Sequence, residues 1–275
     1  MGILNVTPDS FSDGSLLALN PSTKNFQVDV DKALRQVIRM QQEGALIVDI
    51  GGESTRPGAE PVSLQEELDR VIPVVERITA NLDILVSVDT STPQVIRAAG
   101  NAGAALVNDV RALRREGALE AVLENNLSAC LMHMRGEPGT MQQHIQYTDV
   151  VEEVFSFLQQ RVKELISAGM DRMRIVVDPG FGFAKSLEHN FELLDRLDRL
   201  LALELPILIG VSRKSMIGQS TGRPVNQRLA GSIAVTALAL ERGAGIVRTH
   251  DVAATMDAIR VHCQLKKAAA GKERL

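Results

Sequence analysis

Eight short apolar runs, each closed by a polar residue and separated from the next by a longer amphipathic stretch, restrict this chain more than any other feature. They are Gly2–Asn5, Leu46–Asp49, Ile84–Asp89, Leu106–Asp109, Ala129–His133, Ile175–Asp178, Ile207–Ser212 and Ile246–His250. A continuous apolar run bounded by turn residues is the pattern of a strand buried on both faces. Between the runs, apolar residues recur three and four apart, as in Leu64, Leu68, Val71, Val75 and Ile78, or Val151, Val154, Leu158, Val162 and Leu165. That spacing lines one face of a helix. Strand and helix alternating eight times in 275 residues predict an α/β fold, a parallel (β/α)8 TIM barrel, as a single domain over 1–275. No Gly-x-Gly-x-x-Gly fingerprint follows the first run, which argues against an open dinucleotide-binding sheet.

Local signals set the boundaries. Ser63 with Glu66 is a capping box, and Thr92 before Pro93 reads as an N-cap followed by proline in the first turn. Pro73 falls inside the second helical pattern and is expected to kink it. Gly44-Ala45, Gly103-Ala104 and Gly243-Ala244 each precede a strand, where glycine closes the preceding helix in a left-handed conformation. The tail is expected to fray from about residue 268.

Composition removes several functional classes. A net charge of -4 with mixed signs gives no basic field for nucleic acid, and 3% aromatic residues with no Trp leave few stacking platforms. Cys130 and Cys263 stand alone, so neither a disulfide framework nor a zinc site is expected, and a reducing cytoplasm is. No apolar stretch has membrane-spanning length, no signal-peptide pattern opens the chain, and Val6 breaks the myristoylation pattern after Gly2.

In a barrel the strand ends converge on one mouth. Here they carry Asn5, Asp49, Asp89, Asn108, His133, Asp178, then Ser212 with Arg213 and Lys214, then Arg248 with His250. After the second run, Gly51, Gly52, Pro57 and Gly58 frame a loop that displays Glu53, Ser54, Thr55 and Arg56. Arg56, Lys214 and Arg248, backed by His250, suit phosphate oxygens. Asn5 with Asp9 or Asp13 offers hard oxygens for magnesium bridging a diphosphate. Asp178-Pro-Gly-Phe-Gly-Phe183 sets a carboxylate beside a Gly-rich turn and two rings, fit to hold a flat, nitrogen-rich heterocycle, although both rings could equally be core. His133-Met-Arg-Gly-Glu137 lacks zinc-protease spacing, and His144 and His189 read as structural or surface residues. Lys214 could instead be the Schiff-base lysine of an aldolase, with Arg213 lowering its pKa.

These residues resemble the dihydropteroate synthases of folate biosynthesis nearly end to end. Gly2-Ile-Leu-Asn-Val-Thr-Pro-Asp-Ser-Phe-Ser-Asp-Gly14 is similar to that family's first signature, and Asp49-Ile-Gly-Gly-Glu-Ser-Thr-Arg-Pro-Gly58 to its second. Val88-Asp89-Thr90, Asn108-Asp109, Asp178-Pro-Gly-Phe-Gly182, Ser212-Arg-Lys-Ser215 and Arg248-Thr-His250 complete the pattern. The first loop departs from it, continuing from Asp13-Gly14-Ser15 through Leu16 to Asn25 without a second glycine. The resemblance implies an enzyme that joins 6-hydroxymethyl-7,8-dihydropterin diphosphate to p-aminobenzoate, releases pyrophosphate, uses Mg2+ and forms a homodimer. It assigns Asp89, Asn108, Asp178 and Lys214 to the pterin, and Asn5, Arg56, Arg248 and His250 to the diphosphate, with Asn5 on the metal. Thr55, Pro57, Phe183, Lys214 and Ser215 would hold p-aminobenzoate, and Lys214, Asp178, Arg56 and Asp13 would carry catalysis. A pterin-dependent methyltransferase would share the pterin contacts but has no use for the cation set around a diphosphate. A pterin-binding paralogue without turnover is the alternative outside enzymes.

Overall fold

Runs of Val, Ile and Leu pair with their neighbours in chain order, because each amphipathic crossover returns the chain parallel to the strand it left. The structure, a computed structural model, describes residues 1–7, 17, 26–54, 62–137, 139–141 and 145–272. Strands β1 (Gly2–Asn5), β2 (Ile47–Gly51), β3 (Leu85–Asp89), β4 (Leu106–Asp109), β5 (Ser128–Met132) and β6 (Ile175–Asp178) form one parallel sheet in that order. β7 (Leu208–Ile209) pairs with β8 (Ile246–Val247). Two parallel bridges, Val177 to Ile207 and Gly2 to Thr249, join the two sets into a closed ring of eight strands. Backbone hydrogen bonds run along both seams: Val177 N–H donates to Pro206 O at 3.0 Å and Ile3 N–H to Thr249 O at 3.0 Å.

The helices follow in alternation: α1 (Val30–Gln42), α2 (Leu64–Thr79), α3 (Pro93–Asn101), α4 (Ala118–Glu124), α5 (Val150–Ser167), α6 (Leu187–Asp195), α7 (Ser215–Thr221), α8 (Leu229–Glu241) and α9 (Val252–Lys272). Outward-facing strand residues meet them. Val48, Ile50, Val86 and Val88 pack against Val71, Val75 and Ile78 of α2, all buried. Inside the ring, Leu106, Cys130 and Leu208 form an apolar floor with Met1, Val176 and Ile246 against it. That floor leaves the polar residues of the same strands to face the other end of the barrel.

The boundary signals act as expected in most places. Ser63 and Glu66 form a reciprocal capping box, and Gly44, Gly103 and Gly243 have φ of 105°, 96° and 97°. Helix α2 runs on through Pro73, from Leu64 to Thr79. The differences have physical causes. Thr92 occupies the N-cap position of α3, yet its hydroxyl makes no cap bond and instead donates to Glu67 Oε2 at 2.9 Å. β7 and β8 hold two residues each where longer runs are expected, because the chain leaves the ladder after Ile209, with Lys214 N–H donating to Val211 O at 3.2 Å and Arg213 at φ 57°. Helix α9 runs to Lys272, through Ala268, Ala269 and Ala270, which are strong helix formers.

Candidate active site

The strand ends place one carboxylate at the centre of the ring. Asp49 of β2 is fully buried and accepts from Ser87 Oγ at 2.6 Å, Asn108 Nδ2 at 3.0 Å and Arg248 Nε at 2.5 Å. A buried charge needs such partners, since an unpaired one costs several kcal/mol, on the order of 3–5 when a partner is removed. Arg248 also reaches Asp89, with Nη2 at 2.9 Å from Oδ2. Burial raises the Asp89 carboxyl to about 7 against the opposing pull of Arg248. Arg248 is therefore oriented by two carboxylates, and its Nη1 takes part in neither pair.

Glycines keep the space above this hub open. Asn5, Gly51 and Asp89 are in register across β1, β2 and β3. A Cβ at Gly51 would lie 3.6 Å from Asn5 Oδ1 and 4.0 Å from Asp89 Oδ2. On the far wall a Cβ at Gly210 would lie 3.8 Å from Lys214 Nζ and 4.0 Å from Arg248 Cδ. The mouth is thus bordered by Asn5, Asp89, Asn108, Lys214 and Arg248 with no side chain on these two glycines.

Asp178 ends β6 and is 6% exposed. Its Oδ1 accepts from Gly180 N–H at 2.7 Å, a turn that needs the positive φ of 71° at Gly180. Burial raises its pKa, opposed first by the nearby Lys214 ammonium. Lys214 Nζ donates to Phe181 O at 2.5 Å and lies 4.7 Å from the centroid of the Phe183 ring. Burial lowers Lys214 to about 8, with Asp178 acting in the opposite direction. Of the two rings in the β6 loop, Phe181 is fully buried core and Phe183 is only partly buried, beside Lys214. Ser215 follows as the exposed first residue of α7. Next to β8, His250 Nδ1 stands 3.1 Å from Ser212 Oγ, which also accepts from the His250 N–H. Arg213 turns to Asp251, with Nε 2.9 Å from Oδ2, and Lys214 turns into the mouth. This division of the two cations gives the Schiff-base alternative no support.

Asn5, Asp89, Asn108, Asp178, Phe183, Lys214, Arg248 and His250 all belong to the ends of strands, or to the loops directly after them, at one end of the barrel, and Ser215 opens the helix that follows Lys214. Thr55, Arg56, Pro57, Asp13 and Asp9 lie outside the described residues, as does His144. His189 is structural: its side chain completes a capping box with Ser186 on α6. No group of three or more His, Cys, Asp or Glu among the described residues could cage a metal. Asn5 brings a side-chain oxygen to the mouth, the kind of protein ligand that would suit a magnesium ion taking its other oxygens from phosphate and water. Two contributors carry no role in the sequence reading. Asp49 was visible there only as a strand end and as the first residue of the second signature, and Lys185, 5% exposed beneath the β6 loop, had no periodic or motif signal at all.

The model of the family described as pterin binding enzyme matches residues 1–250. The chain belongs to that family. Dihydropteroate synthase of Haemophilus influenzae is 50% identical over 262 residues, covering 95% of this chain and 91% of its own. The Yersinia pestis dihydropteroate synthase solved with a sulfonamide drug has a TM-score of 0.91 at 47% identity, covering 97% of this chain and 94% of its own. The Xanthomonas albilineans dihydropteroate synthase solved with 4-aminobenzoic acid has a TM-score of 0.87 at 49% identity, covering 97% and 92%. As a pterin-binding enzyme the chain shares with these structures its barrel along almost its full length. Among its described residues no helix is long and apolar enough to cross a membrane.

Proposed function

We infer that this chain catalyses the dihydropteroate synthase reaction, condensing 6-hydroxymethyl-7,8-dihydropterin diphosphate with p-aminobenzoate to give 7,8-dihydropteroate and pyrophosphate. The observation that carries it is the pairing, at one mouth, of the buried acceptor Asp178 with two differently held cations, Lys214 and Arg248. In the reaction the bond between the pterin methylene carbon and the diphosphate oxygen breaks, and its electrons leave with pyrophosphate. The aniline nitrogen forms the new bond to that carbon and loses a proton. No side-chain nucleophile is needed.

In this reading Asp178 accepts from the pterin ring and stabilises the positive charge that develops on it, while Asn108, Asp89 and Lys214 complete the pocket. Arg248 and His250, with Arg56 and Asn5, hold the diphosphate. Phe183, Lys214 and Ser215, with Thr55 and Pro57, form the p-aminobenzoate side, and Asp13 contributes to catalysis. Magnesium, when bound at Asn5, supplies charge to the departing diphosphate. A homodimer is the proposed assembly: α8 leaves Ala230, Ala234, Ala237 and Leu238 exposed along one face, with Leu238 47% exposed. The two cysteines, one of them buried in the barrel, fit a cytoplasmic enzyme. The test mixes purified protein, magnesium, the pterin diphosphate and p-aminobenzoate and follows dihydropteroate and pyrophosphate in equal amounts. Ligand binding without product would overturn the activity and leave a binding protein.

A further inference from the structure

The loop that presents Asp178 and Phe183 rests on an ammonium that the reaction does not touch. Lys185 Nζ lies within 2.9 Å of Gly180 O, 3.0 Å of Phe183 O and 3.0 Å of His133 Nδ1, with His133 O at 3.5 Å. Burial lowers Lys185 to about 7, with Asp178 acting in the opposite direction; in its charged form it has three hydrogens, and here three close acceptors surround it. Two of them are carbonyls at either end of the segment Gly180–Phe183, and that segment also turns back on itself through Phe183 N–H to Gly180 O at 3.1 Å. Lys214 holds the same segment from the mouth side through Phe181 O, and Gly182 N–H donates to Asn190 Oδ1 at 2.7 Å. Three residues in this stretch, Gly180, Gly182 and Ala184, have φ of 71°, 79° and 50°. Such backbone does not hold itself, and for the non-glycine Ala184 it is strained. His133 is buried and its pKa is pushed well down by burial and by Lys185, so its neutral ring can accept from the ammonium.

We propose that Lys185 is a positioning residue for the p-aminobenzoate side of the site, fixing the Gly180–Phe183 segment so that the Phe183 ring stays beside Lys214. The inference rests on the dihydropteroate synthase reading. Lys185 also bonds Gly180 O, next to the N–H that Asp178 accepts, but Asp178 is carried by its own strand β6, whereas the Phe183 carbonyl has Lys185 as its side-chain donor, so the effect falls mainly on the p-aminobenzoate side. Methionine at 185 keeps the length of the stem and removes every donor.

The experiment is steady-state kinetics of Lys185→Met and of His133→Asn, which keeps an acceptor close to the position of Nδ1, with thermal unfolding measured on each. Lys185→Met should raise KM for p-aminobenzoate by about tenfold or more, an apparent loss of about 1.4 kcal/mol, while KM for the pterin diphosphate changes by less than about threefold. His133→Asn should stay close to wild type in both. Unchanged p-aminobenzoate KM in folded Lys185→Met overturns the proposal, and so do equal rises in both KM values. Should Lys185→Met not fold, Lys185→Leu, which also removes every donor, carries the same test; if neither folds, Lys185 is scaffold only and the proposal falls. Wild-type protein without turnover would instead overturn the underlying reading.

Discussion

The two oxygens of Asp178 face different work. Oδ1 is taken by Gly180 N–H, which leaves Oδ2 for a ligand. In Asp178→Asn the amide oxygen keeps the Gly180 bond and the NH2 group turns toward the ring, donor against donor. Affinity for a pterin analogue should then fall about 10- to 100-fold, the 1–3 kcal/mol of an unsatisfied buried polar group, with little change in Tm. Calorimetry and thermal unfolding on the same samples check it, and a large drop in Tm with affinity kept would move Asp178 to the scaffold. Lys214 must carry its charge to serve both substrates, and burial lowers it to about 8. As pH rises through that value the ammonium is lost, so kcat/KM should fall on the alkaline side near pH 8, and Lys214→Arg should move the fall to higher pH in whatever activity it retains. A profile that Lys214→Arg leaves in place would assign the limb to another group. Arg248→Ala would strip two carboxylates of their cation, one of them fully buried. It should destabilise the fold by about 3–5 kcal/mol in urea unfolding, with Asp49→Asn added to it recovering part of that loss. Additive losses in the double variant would contradict the pairing.

At the level of elements, the β6–α6 connection is the least tolerant part of the mouth. A Cβ at Gly180 would fall 2.0 Å from His133 O on a left-handed backbone. Gly180→Ala should therefore cost at least about 3 kcal/mol and lower Tm by about 6–12 °C, whereas Gly139→Ala, with nothing within 4 Å, should leave it unchanged. Equal melting temperatures for the two would refute the packing argument. Strand ends such as Asp89 and Asp178 were legible in the sequence because a buried apolar run stopping at a polar residue is a local event. The glycines at 44, 103 and 243 were legible for the same reason. The hub at Asp49 was not, since its partner Arg248 is 199 residues away and no periodicity links them. Lys185 looks like any loop lysine until the Gly180–Phe183 segment folds over it, and the lengths of β7 and β8 are set by closure of the ring rather than by their own residues.

For the whole molecule, the exposed apolar face of α8 leads to a concrete expectation. Sedimentation should give twice the 29.8 kDa chain mass for the wild type, and a charge placed on that face by Leu238→Glu should shift it toward one chain. A wild-type mass of one chain would remove the dimer. Ring closure by Gly2 against Thr249 has a further consequence, for the chain as it is synthesised. Until β8 is made, Gly2 has no Thr249 to pair with and Asp49 has no Arg248. Contacts so distant in sequence are slow to form and leave strand edges available to other chains. The charges of the pocket therefore cannot be paired until nearly the whole chain has been made, and a chain stalled before Arg248 is translated leaves Asp49 without its cation and has no site to protect.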